Sequence, residues 1–135
     1  MKEKNINYVN AKLLFTRGAI AHCNNLTAIV VDDKQVKSQV GENTVLIQEL
    51  GHYMAGAYYH TNSQYELIDK MEHKADKKAW QEFLPYKKII ELMKNGLTTA
   101  TQLAEHFNVE TPYMARCLNY YYNNSHGFTD DKVSV

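Results

Sequence analysis

The sequence predicts an α+β fold, a small N-terminal β-hairpin or sheet followed by a helical majority. Two observations carry this. β-Branched residues gather early, where Ile20, Ile29, Val30 and Val31 lie on either side of an Asn24-Asn25 pair. From about Asn43 onward, apolar residues instead recur at helical spacing between recognisable caps. At 135 residues the chain predicts one domain, 1–135, with a hairpin or sheet region over 1–42, helices carrying the motifs over 43–84 and C-terminal helices over 85–125.

Taken in order, "GAIAHC" and "LTAIVVDD" predict two strands joined at Asn24-Asn25. The preceding "INYVNAKLLFTRG" suits a strand or a short helix, and its periodicity does not decide between them. The first helix is expected from about Asn43 to near Tyr59, with Leu46, Leu50, Tyr53, Met54 and Ala57 on one apolar stripe. Ser63-Gln64-Tyr65-Glu66 reads as a capping box that opens a second helix running to about Phe83. Pro85 opens a third, with Tyr86, Ile89, Ile90 and Met93 on one side and Gly96 as its stop. A fourth is expected from about Thr99 to Phe107. A fifth starts at Thr111-Pro112 and aligns Met114, Cys117, Leu118 and Tyr121.

Fifteen basic and fifteen acidic residues cancel, which argues against a basic nucleic-acid arm, and a 44% hydrophobic share is that of a folded soluble chain. Cys23 and Cys117 form no Cys-x-x-Cys pair, as expected of reduced, small hydrophobes. The N-terminus has no apolar signal region, and no apolar run approaches the ~20 residues of a membrane span. A cytoplasmic protein without membrane contact is expected.

The stretch "VLIQELGHYMAG", Val45 to Gly56, contains Gln48-Glu49-Leu50-Gly51-His52, one residue from the His-Glu-x-x-His pattern of many zinc peptidases. Gln48 and His52 lie one helical turn apart on the same side, the spacing two metal ligands on one helix require. Glu49, turned about 100° away, is placed to hold a water instead. On the second helix Glu72 falls inside an apolar stripe of Leu67, Ile68, Met71, Ala75, Ala79 and Phe83, with Lys70, Lys74, Asp76 and Lys77 largely opposite. A carboxylate on a buried face costs several kcal/mol unless compensated. Either Glu72 bonds backbone groups or a lysine, or it is a further metal ligand from a helix packed against the first.

Together, "VLIQELGHYMAG" and the downstream "MEHKADKKAWQEFLP" resemble the ImmA/IrrE family of zinc metallopeptidase domains of phages, mobile elements and their bacterial hosts. Glu72-His73-Lys74-Ala75 matches that family's Glu-x-x-Ala element and Leu84-Pro85 its closing pair, and "TTATQLAEHFNVETPYMARCLNYY" is similar to its later helices. The resemblance implies a zincin-like active-site helix, zinc as cofactor, His52 and Glu72 as its ligands, Glu49 as general base, and a helix-turn-helix repressor as substrate. Gln48 stands where the family has its first histidine, and an amide oxygen is a feeble zinc ligand, so binding should weaken. A metal-poor protein-binding module on the same fold is the alternative. His22, His60, His73 and His106 are the other imidazoles that could replace the missing first histidine; His60 lies beyond Gly56 and His73 on a polar face.

"LAEHFNV" followed by "ETPYMARCLNYY" also has the outline of a helix-turn-helix. Its second helix offers only Arg116 as a cation, so phosphate neutralisation would be weak, and Leu103, Ala104, Phe107 and Val109 read as core. Its tyrosines suit the core or a protein-facing surface.

Overall fold

Strand β2 (Gly18–Cys23) pairs antiparallel with β3 (Leu26–Val31), and β1 (Ile6–Asn10) pairs with β3 in parallel, which gives the sheet order β1-β3-β2. The computed structural model describes residues 6–10, 17–23, 26–32, 34–36, 38–57 and 63–124. Among these, five helices follow the sheet: α1 (Gln39–Ala55), α2 (Tyr65–Phe83), α3 (Tyr86–Lys94), α4 (Ala100–Phe107) and α5 (Thr111–Asn124). The fold is therefore α+β, as the sequence predicts. The opening part of the undecided N-terminal segment is the strand β1; residues 11–16 and the Asn24-Asn25 turn lie outside the described residues.

The link from β3 to α1 is built around buried Asp32. Its carboxylate accepts from the Lys34 backbone N–H at 3.0 Å and from Gln35 Nε2 at 2.8 Å, and its carbonyl accepts from the Gln35 and Val36 N–H groups. Ser38 then caps α1, its Oγ accepting from Gly41 N–H at 2.9 Å. The helix thus begins at Gln39, ahead of the Asn43 expected, because a cap and a turn start it where apolar periodicity is still absent. It ends at Ala55 rather than near Tyr59, since Gly56 adopts the left-handed conformation (φ 62°) and closes the last turn. Tyr59 itself lies outside the described residues. Helix α2 starts at Tyr65, with the Gln64 carbonyl accepting from Leu67 and Ile68.

The chain divides into two compact units, Met1–Ala79 and Trp80–Val135. In the first, Ile29, Val31, Val36 and Val45 form a buried cluster, with Ile20, Leu46 and Leu50 packed against it. Burying side chains of this size contributes roughly 1.5–3 kcal/mol each before entropy is counted. In the second, Leu84, Ile89, Leu103, Met114 and Cys117 are fully buried. Local signals are kept there: Pro85 precedes α3, Gly96 (φ 104°) follows it, and Thr99 with Gln102 forms a capping box on α4. Tyr121 Oη donates to the Leu84 carbonyl at 2.8 Å. Among the described residues no helix is long and apolar enough to cross a membrane.

Candidate functional site

The first unit contains the motif, and its geometry is set by how α1 stops. With Gly56 left-handed, the chain turns back so that the Ala57 N–H donates to the His52 carbonyl at 3.0 Å. The Ala57 carbonyl in turn accepts from His52 Nδ1 at 2.7 Å. One residue just past the helix thus grips His52 through both its peptide groups. That fixes which ring nitrogen faces inward. His52 Nε2 points to Glu72 Oε1 on α2, 3.3 Å away.

Both partners of the imidazole, a carbonyl and a carboxylate, are acceptors. Neutral imidazole has a single N–H, so satisfying both requires the imidazolium. Burial alone would lower the His52 pKa, but it is outweighed by the hydrogen bond to Glu72, the Ala57 carbonyl and the charges of Glu72 and Glu49, and the group is pushed up to about 9. Its place in the last turn of α1, where backbone carbonyls carry partial negative charge, favours the cation further. Glu49 is held above the usual carboxylate range, chiefly by burial; the Glu72 charge acts in the same direction and His52 opposes both.

The structure brings together two of the ligands proposed from sequence, His52 and Glu72, with Glu49 close enough to feel both charges. Gln48 is half-buried, one turn before His52. The surroundings differ from expectation in three ways. The Glu72 side chain is 43% exposed and meets an imidazole, so it is neither sealed on an apolar face nor bonded to a lysine in this contact. The most buried positions of α1 are Gly41, Thr44, Val45, Gly51 and His52, whereas Leu46, Leu50, Tyr53 and Met54 are only half-buried. On α2, Asp76 is buried, as are Ala75 and Ala79, rather than turned to solvent. In both helices small residues allow closer approach than the large apolar ones, and this rotates the buried face.

Of the other histidines, His73 is exposed and donates from Nδ1 to the Asp69 carbonyl at 2.9 Å, and exposed His106 stands edge-on to Phe107. His60 and the His22 side chain lie outside the described residues. Arg116, the lone cation of the helix-turn-helix outline, lies 5.8 Å from the ring centroids of both Trp80 and Tyr113. Tyr113 and Tyr121 are core residues, whereas Tyr122 is exposed.

Whether these residues suit zinc is a question of spacing and donor chemistry. With zinc–ligand bonds of about 2.0–2.2 Å, two ligand atoms on a zinc tetrahedron stand about 3.4 Å apart. The 3.3 Å between His52 Nε2 and Glu72 Oε1 matches that edge. The Nδ1–H donated to Ala57 is the outer bond that orients a ligating imidazole. Two ligands therefore fit. A third donor would have to be Gln48, whose amide oxygen is a weak zinc ligand. Among the described residues no group of three or more His, Cys, Asp and Glu side chains is placed to hold a metal. In comparisons with known proteins, no family model, no curated protein and no solved structure matches the chain.

Proposed function

We propose that the chain is a zinc-dependent peptidase of the ImmA/IrrE kind with a weakened metal site, acting in the cytoplasm on a helix-turn-helix repressor of a phage or mobile element. The observation that carries the chemistry is the meeting of His52 Nε2 and Glu72 Oε1 at 3.3 Å from two different helices, with half-buried Glu49 close enough to feel both charges. The substrate class is what the motif resemblance implies. His52 and Glu72 would hold the metal, with Gln48 as the weak third donor. Bound zinc would polarise a scissile carbonyl and acidify water at the site. Glu49, made more basic than an ordinary carboxylate by burial, would take a proton from the attacking water and return it to the leaving amine. Ala57 keeps Nδ1 occupied, so His52 presents Nε2 and no other atom.

A second reading, a metal-free module that grips a repressor or regulator without cutting it, is favoured by one observation. The His52–Glu72 contact satisfies itself with a proton where the metal would be. Metal analysis separates the two. Protein purified with about one equivalent of zinc, lost on His52→Ala, supports the peptidase. A metal-free protein unchanged by chelator sinks it and leaves the module. Gln48→His should tighten zinc binding by about tenfold or more if the cleft is still built for metal, and no gain would count against the proposal.

A further inference from the structure

The contact between α1 and α2 beside the site is closer than side chains normally allow. A Cβ built on Gly51 would lie 2.5 Å from the Ala75 carbonyl oxygen and 2.8 Å from the Ala79 Cβ. Ala75 and Ala79 are themselves buried. His52 is the next residue after Gly51, and Glu72 lies three residues before Ala75, one turn along α2. The backbone contact and the His52–Glu72 contact are thus neighbours on the same pair of helices.

We propose that Gly51 is a positioning residue whose missing side chain sets the His52–Glu72 separation. The atom a methyl would strike first is a backbone carbonyl oxygen, which has no rotamer to give, so the helices themselves must part. Restoring ordinary contact from 2.5 Å needs about 1 Å of retreat. Added to a 3.3 Å hydrogen bond, that exceeds the range in which such a bond survives. Glu72 could recover the contact only by leaving its present side-chain conformation. The role in holding the pair is independent of the zinc proposal; the role in holding metal rests on it.

The test is a double-mutant cycle on His52→Ala and Glu72→Ala, read by denaturant unfolding of the chelator-treated protein and repeated with Gly51→Ala in the background. The cycle should show favourable coupling in the parent and none in the Gly51→Ala background. Val45→Ala, which opens a cavity in the first unit's core without wedging the helices apart, should leave the coupling intact. Coupling that persists with Gly51→Ala, or vanishes equally with Val45→Ala, overturns the proposal. Should Gly51→Ala fail to fold, Ala79→Ser adds one atom to the same contact and carries the cycle under the same criteria. Zinc titration separates the two claims: Gly51→Ala should weaken zinc binding by about tenfold or more. A parent that binds no zinc while its coupling still depends on Gly51 sinks the metal and leaves the positioning role standing.

Discussion

Two polar contacts, one in each unit, bond side chains to the same kind of backbone acceptor and yet differ in what they can do. Tyr121 Oη donates to the Leu84 carbonyl, and His52 Nδ1 donates to the Ala57 carbonyl. Burial raises the Tyr121 pKa still further, with Cys117 and Tyr120 adding to it, so the phenol keeps its proton at every pH the protein meets. His52 has a second acceptor, Glu72, and takes up an extra proton to satisfy it. A neutral donor that keeps its proton is a fixture of the core. An imidazole between two acceptors holds a proton it can exchange, and a metal can take that proton's place.

This contrast can be broken from either side. The largest effect is expected from Gly56→Ala, which forces a side chain into the left-handed region and displaces the carbonyl that orients His52. Denaturant unfolding should show a loss of about 1–2 kcal/mol, accompanied by weaker zinc binding in a titration. Tyr121→Phe should cost about 1 kcal/mol, equally at pH 6 and pH 9, with zinc binding unchanged. A loss that varied with pH would show that the two contacts are not different in kind.

The last effect is a slope. In the metal-free protein the folded pKa of His52, about 9, lies above its ordinary 6.5. Its contribution to stability is therefore fully present below pH 6.5 and is lost as pH rises through 9. Thermal unfolding across that window should show a falling melting temperature, and Glu72→Gln should flatten the fall. Zinc affinity should run the opposite way, rising with pH until His52 has lost its proton.

How much of this was legible in the sequence follows from which forces are local. Pro85, Gly96 and Thr111-Pro112 act within a turn of themselves, and the helices they bound lie where they were expected. The β2–β3 hairpin was legible for the same reason. The parallel pairing of β1 with β3 was not, because it joins segments about twenty residues apart with no turn to announce it. In the site, the one-turn spacing of Gln48 and His52 and the place of Glu72 on α2 singled out this pair of helices, and His52 and Glu72 do meet. The buried faces of α1 and α2 were legible in part: Ala57, Ala75 and Ala79 of the expected stripes are buried, whereas Leu46, Leu50, Tyr53 and Met54 are half-buried and Leu67 is exposed. Gly51 and Ala57 went unnoticed as site residues because what each contributes is backbone. A glycine directly before the histidine, facing a helix with alanines one turn apart, was the available signal.

The grip of Ala57 on His52 also bears on entropy. His52 is tied to the residue just after its own helix by two hydrogen bonds, one at its main-chain carbonyl and one at its ring Nδ1. Fixing a side chain of this kind on binding costs about 0.5–1.5 kcal/mol. Here that freedom is surrendered when α1 terminates, as part of folding, so whatever meets Nε2 later finds a donor already aimed.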